Sequence, residues 1–284
     1  MANKHRTNQR HRSRSKKRHR STQAKKAKTA KTAKTAKTHK KDHVKDPEFA
    51  KTLHKGTQAS GHCELCDRAY HYQSYSTFTD YLEILLKRKI FSYVYTPPDV
   101  SDMTLELQMK SGNVSSLYVK ITKFMNYVKQ GLQDSKKKLI PIVLNLQIAR
   151  DDNHANCLVI NKKEKRIELF EPHGHRTSSS VLGGHVRAYS KKIKALRLFW
   201  KSHLPEYKVT NVVDEVKRTA FQVEYDPERS TGYCVTWSLL YMHYRILNPD
   251  TSEKALIRHI DHKITTRFLL RYARKVEETL KGYS

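Results

Sequence analysis

Apolar positions recur along this chain with two different periods, and the change of period marks out its elements. From Phe78 to Phe91, "FTDYLEILLKRKIF" places apolar residues at helical spacing with Asp80 in the first turn, which predicts an amphipathic helix. Pro97 and Pro98 in "YTPPDV" then break the chain, because proline removes a backbone donor and fixes φ. A second amphipathic helix is expected over Asn113–Leu132. Its Leu117, Ile121, Phe124, Met125, Val128 and Leu132 share one face, and Asn113 is a suitable cap. Both stripes read as core. "LIPIVLNLQI" (Leu139–Ile148) is apolar and β-branched, the signature of a buried strand.

The next stretch has period two. "HANCLVI" (His154–Ile160) and "RIELFE" (Arg166–Glu171) suit strands, and "NKKEK" between them suits a turn. A turn centred between Lys162 and Lys163 pairs Ile160 with Lys165, Leu158 with Ile167, Asn156 with Leu169, and His154 with Glu171. Directly opposed side chains stand ~5 Å apart at Cβ, so this register brings an imidazole and a carboxylate together at the open end of a hairpin. Leu158, Ile160, Ile167 and Leu169 would be core, and Cys157, Val159 and Phe170 on the other face imply a sheet covered on both sides.

Helical spacing returns afterwards. "GGHVRAYSKKIKALRLFWKSHL" (Gly183–Leu204) predicts a helix and "EYKVTNVV" (Glu206–Val213) a further strand. "CVTWSLLYMHYRIL" (Cys234–Leu247) is apolar nearly all round and reads as a buried helix ending at Asn248-Pro249. Asp250 with Glu253 resembles a capping box, and a last helix is expected near Thr266–Leu280. The expected architecture is α+β: a small mixed β-sheet flanked by helices, with Cys234 at the start of a central buried helix.

Charge changes the picture at the N-terminus. Formal net charge is +29 over 284 residues. Residues 1–45 hold 18 Lys and Arg against Asp42 alone, or +17, and so carry more than half of the excess. They have almost no large apolar residues and are expected to be a disordered tail. The Arg/Ser/His tract Arg10–Arg20 and the fourfold triplet "AKTAKTAKTAKT" make it a polycation suited to nucleic acid, whose binding would weaken steeply with salt. A nuclear import signal or a solubilising arm would have the same composition. Three regions are expected: the basic tail 1–45, a mostly helical extension 46–138, and a core 139–284.

No signal peptide and no membrane-spanning apolar run is visible. Four cysteines in a chain of this size suggest a reducing, intracellular compartment rather than a disulfide scaffold. Cys63 and Cys66 form a CxxC with His62 and His71 nearby, but zinc normally takes two such half-sites and one is present, so no metal is expected. Cys157, mid-strand, reads as a small buried hydrophobe, and Trp237, Tyr241 and Met242 as packing. Cys234 differs: at a helix start the unpaired N–H groups and the dipole favour the thiolate, and a histidine cation would favour it further.

A histidine, a glutamate seventeen positions later inside "FEPHG", then a glutamine and a cysteine at a helix start together resemble the adenovirus endopeptidase (adenain) group. They also resemble the wider set of ubiquitin-like-protein proteases of that fold. The likeness covers Leu139 to Leu247. It implies a cysteine endopeptidase without cofactor, in which His154 is the general base, Glu171 its orienting acid and Cys234 the nucleophile. Gln222 and the Cys234 backbone N–H would form the oxyanion hole. The implied substrate is a polypeptide, either a viral precursor or a ubiquitin-like modifier. The implied setting is a large DNA virus, with the protein in the virion or in the host nucleus or cytoplasm and nucleic acid held by the tail. Two positions depart from the pattern: Val235 stands where glycine usually follows the cysteine, and Gln222 precedes Cys234 by twelve residues. An inactive protease-like domain in a nucleic-acid-binding virion or nuclear protein is the alternative these departures leave open.

Overall fold

The computed structural model describes residues 43–51, 75–108, 121–149, 152–172, 193–216, 221 and 233–283, all within one compact unit, Lys41–Ser284. Residues 1–42 of the expected 1–45 tail, with Cys63, Cys66 and Gln222, lie outside the described residues, whereas Lys45 at the end of that expected tail is hydrogen-bonded through its backbone to Asn248. Five strands form one mixed sheet in chain order: β1 (Thr104–Gln108), β2 (Leu139–Ala149), β3 (Asp152–Asn161), β4 (Arg166–Phe170) and β5 (Lys208–Asn211). The β1–β2 and β4–β5 pairs are parallel, and the central pairs are antiparallel. Around the sheet, among the described residues, are α1 (Tyr75–Leu86), α2 (Ile121–Gln133), α3 (residues 193–203), α4 (Cys234–Leu247), α5 (Glu253–Lys263) and α6 (Thr266–Lys281). The fold is α+β, as the two periods of the sequence imply.

Helices cover both faces of the sheet. On one face α2 lies close over β2, with Tyr127 donating to the Pro141 carbonyl at 2.6 Å and Phe124 meeting Trp200 of α3 edge-on. Gly131 permits that approach: a Cβ there would stand 2.8 Å from Tyr95 and 2.9 Å from Ile140. On the other face α4 crosses β3 and β4. Tyr241 stacks on Phe170 with centroids 4.6 Å apart, and α1 and α6 pack outside it. Pro141 is tolerated in a central strand because β1 joins β2 only from Val143 onward.

Several expected elements are shorter or displaced. α1 begins at Tyr75 and ends at Leu86, and Lys89–Phe91 forms a separate 3-10 turn. α2 is described from Ile121, so Asn113 lies outside the described residues. The helix expected from Gly183 is described over 193–203 only. The strand expected over Glu206–Val213 is four residues long and gives way to a 3-10 turn at Val212–Glu215. α5 is capped by Ser252, whose hydroxyl accepts from Ala255 N–H at 3.3 Å, while Asp250 pairs with Lys138 instead.

The hairpin register is also corrected. Cys157 pairs with Phe170, Leu158 with Leu169 and Ile160 with Ile167, a shift of two from the expected pairing. The loop is residues 162–165, not a tight turn at Lys162-Lys163. Asn161 Oδ1 accepts from Glu164 N–H at 3.1 Å, and Lys165 takes φ 47°. Because side chains alternate with period two, an even shift leaves every residue on its expected face.

A buried ion pair ties α4 to this hairpin. Arg245 Nη2 donates to Glu168 Oε1 at 2.8 Å, Arg245 Nε lies 2.7 Å from Oε2, and Tyr241 donates to the same carboxylate at 3.1 Å. Both charged residues are at most 1 % exposed. Removing one partner strands the other charge in the interior. Arg245→Met is therefore expected to lower the unfolding free energy by about 3–5 kcal/mol in urea denaturation, whereas Lys254→Met, which breaks an exposed pair with Glu215, should cost under about 1 kcal/mol. Equal losses would mean that the pair does not hold the helix.

Candidate active site

β3 and β4 part at their open end, and the site lies there. His154, near the start of β3, is 3 % exposed, and Glu171, one residue past β4, is fully buried. His154 Nε2 and Glu171 Oε1 are 2.7 Å apart. In the observed register Glu171 falls level with Asn156, and His154 is its diagonal neighbour on the same face. Asn156 Nδ2 donates to Glu171 Oε2, so both carboxylate oxygens are engaged. Asn156 Oδ1 is buried and has no hydrogen-bond partner among the described residues.

Cys234 is the first residue of α4 and is partly exposed. The N-cap, Tyr233, makes no side-chain capping bond to the first turn. Cys234 is hydrogen-bonded to His154 and to the backbone of Ala155. Since Nε2 faces Glu171, Nδ1 is the ring nitrogen left for the thiol. Four residues along the same helix face, Ser238 donates to the Ala155 carbonyl at 3.1 Å. The structure thus brings His154, Glu171 and Cys234 into one hydrogen-bonded chain.

The electrostatics follow from that chain. Burial disfavours a charged imidazole, but the Glu171 carboxylate, the Cys234 hydrogen bond and the Glu171 hydrogen bond outweigh it and raise His154 to about 10. For Cys234 burial pushes the thiol up. The hydrogen bond and charge of His154, with the Ala155 N–H, overcome that and lower it, while the more distant Glu171 charge opposes them. The favoured state is a thiolate–imidazolium pair. Cys157, by contrast, is fully buried and its thiol is pushed well up, first by burial and then by Glu168 and Glu171, which makes it inert.

Gln222 falls outside the described residues. Its neighbour Phe221 is buried against Phe170 and Trp237, and its N–H donates to the Pro172 carbonyl at 2.9 Å, one residue from Glu171. The Val235 side chain is 6 % exposed and belongs to the core. Sequence reasoning missed Asn156, although its place two residues after His154 in a strand was the available signal. Among the described residues no cluster of His, Cys, Asp or Glu is arranged to hold a metal ion. A cavity of about 410 Å³ opens at the opposite, turn end of the hairpin, but its Arg166 and Glu253 are paired with each other, and its lining has neither cysteine nor histidine.

No protein family matches the sequence, and no curated protein matches it. Solved structures that it resembles include ChlaDub1 of Chlamydia trachomatis, at 12% identity and TM-score 0.34 over 72% of this chain and 77% of that one. A protease of ASFV gives 15% and 0.38 over 71% and 66%. The C-terminal protease domain of yeast Ulp1, solved with Smt3, gives 11% and 0.33 over 84% and 98%. No described helix is long and apolar enough to cross a membrane.

The pair is directly testable. With the other cysteines replaced by serine, alkylation of Cys234 by iodoacetamide should already be fast well below pH 9. In His154→Phe the half-point should return to the ordinary thiol range near ~8.5 or above. The sign is fixed by the directions above: the thiolate is stabilised by a cation that persists until pH rises through about 10. Identical profiles for the two proteins would show that the pair does not assemble.

Proposed function

We propose that this chain is a cysteine hydrolase that cleaves amide bonds of a polypeptide through Cys234, His154 and Glu171. The observation that supports the reading is the hydrogen-bonded run Glu171–His154–Cys234, with the two supporting residues buried and Cys234 as a residue partly exposed. A packing role requires none of this order. Surrounding a thiol with an imidazole, a backbone N–H and a helix start favours its anion, the nucleophilic form.

In the proposed reaction the Cys234 thiolate attacks the carbonyl carbon. The C–S bond forms as the carbonyl π electrons move onto oxygen. The backbone N–H of Cys234 meets that oxyanion, and Gln222 is the second donor that the family likeness supplies. Collapse breaks the C–N bond, and the His154 cation gives its proton to the leaving amine. Neutral His154 then takes a proton from water, which attacks the thioester and releases the acid and the thiolate. Glu171 holds the ring and balances its charge. The substrate class is a polypeptide, with a viral precursor and the tail of a ubiquitin-like modifier both within it. Residues 1–45 would add a salt-sensitive hold on nucleic acid.

With a pooled library of fluorogenic peptides, the parent protein should release fluorophore and Cys234→Ser should release none. Glu171→Gln should lose about 10²–10⁴-fold in kcat/KM, the usual reach of positioned acid–base catalysis. Intact thiol activation without turnover of any peptide or ubiquitin-like tail would instead mean that the domain binds and does not cut.

A further inference from the structure

Charge is unevenly shared between the two helical layers. Residues 172–205 hold seven Lys and Arg and no Asp or Glu, although the chain has 27 acidic residues in all. The described part of α3 lies in that stretch. α2, beside it on the same face of the sheet, has no acidic residue either. Phe124 and Trp200 turn inward and join the two helices, so their polar sides face outward together. On α3, Lys194, Arg197 and Lys201 are exposed at spacings of three and four, which aligns them on one side of the helix. On α2, Lys123 and Lys129 are exposed.

These five cations make no ion pair and no side-chain hydrogen bond among the described residues. The other layer behaves differently. There Lys87 lies 2.6 Å from Glu83, and Arg274 and Lys275 lie 3.0 and 3.4 Å from Glu278. Like charges held side by side on two packed helices repel one another, so this group is suited to an anion from outside. What the surface lacks narrows the choice. Leu198 is the one large apolar side chain exposed on these helices among the described residues, while Phe124, Tyr127, Phe199 and Trp200 are buried. A protein partner calls for an apolar centre, a membrane for several apolar anchors, and a single nucleic-acid strand for aromatic rings on which its bases stack. The backbone of a duplex calls only for cations.

We propose that the outer surface of α2 and α3 is a docking face for the phosphate backbone of a nucleic-acid duplex. The face belongs to the folded unit and stands apart from the N-terminal tail. It is also independent of the protease reading, since neither helix supplies a residue to the run Glu171–His154–Cys234. Scale supports it. At ~1.5 Å per residue, Lys194 to Lys201 spans ~10 Å along its axis and Lys123 to Lys129 ~9 Å. Packed helices stand ~8–10 Å apart. A ~10 Å length of duplex carries about six phosphates, so five cations over two helices match the charge density of the backbone. Contacts to phosphate carry no sequence information, and the hold is therefore independent of sequence.

The test follows binding of the full-length protein to a short fluorescent DNA duplex of arbitrary sequence, by anisotropy, between about 50 and about 200 mM salt. Each Lys or Arg that touches a phosphate adds about 1 to the magnitude of the slope of log K against log salt. Lys194→Gln/Arg197→Gln/Lys201→Gln should therefore lower that magnitude by about 2–3, and Lys123→Gln/Lys129→Gln by about 1–2. The control, Lys87→Gln/Arg274→Gln/Lys275→Gln, makes the same change of net charge as the α3 variant but on the other layer, and should lower it by less than about 1. All these side chains are exposed, so unfolding midpoints should stay near the parent's, and if one helix variant loses its fold the other still reports on the face. Equal losses in the α3 variant and the control would mean that binding follows net charge alone, and would overturn the docking face. Unchanged slopes in both helix variants would do the same. Vesicles of equal parts phosphatidylserine and phosphatidylcholine are the second probe. A loss in the α3 variant that is larger on vesicles than on the duplex, or one confined to single-stranded DNA, overturns the assignment to a duplex.

Discussion

Both peptide groups of Ala155 point toward a strand that has already ended. β4 stops at Phe170, level with Cys157, while β3 continues on to Asp152. A residue's N–H and C=O leave a strand on the same side, and buried backbone groups must find partners. Here α4 supplies them: the Cys234 sulfur takes the Ala155 N–H, and Ser238, one turn along, donates to its carbonyl. The helix completes the ladder where the strand runs out. The nucleophile is thereby fixed by main-chain accounting, and the thiol gains an N–H donor that favours its anion.

That docking holds because α4 is anchored again further along. Tyr241 lies flat on Phe170, and Arg245 closes on Glu168 deep in the core. Charges buried in this way add little net stability over apolar residues of equal size, but they are costly to misalign. They act as a register mark between helix and hairpin. Beyond Leu247, Asn248 exchanges hydrogen bonds with the backbone of Lys45, and Asp46 meets Tyr244 and His259. Cys234 thus begins a helix whose middle and far end are both pinned.

Much of this was legible in the sequence, for reasons that can be named. β2 and α4 are long apolar runs, β3 and β4 are joined by a short polar turn, and α6 is a long helix, so each is readable locally. The hairpin was placed two residues out of register because "NKKEK" gives no Gly to mark its turn; Asn161 and the left-handed Lys165 make it a four-residue loop. The error was even, so His154 and Glu171 still met, as diagonal rather than direct neighbours. Asn156 went unnoticed for the same reason, since it was matched with Leu169 and not with Glu171. β1 was missed because "TLELQ" has no partner next to it in sequence, and its strand character comes from parallel pairing with β2, a contact distant in sequence. The cap was expected at Asp250 and lies at Ser252; both residue types suit the role, and only tertiary contact sends Asp250 to Lys138.

Glu171 has two opposed effects, and the imidazole decides between them. Its negative charge stabilises the His154 cation, and the same charge destabilises the Cys234 thiolate. A carboxylate helps this chemistry only if it stands close to the ring and farther from the sulfur. The two ring nitrogens impose that order, because Nε2 is held by Glu171 and the thiol is met on the far side of the ring. Asn156 strengthens the separation by holding the second oxygen, so the carboxylate cannot swing past the ring toward the sulfur. Burial sharpens each term, since in a low dielectric a ring's width of extra distance matters more than it would in water. The linear sequence of acid, base and thiol is therefore the arrangement in which one buried negative charge can favour a second one nearby.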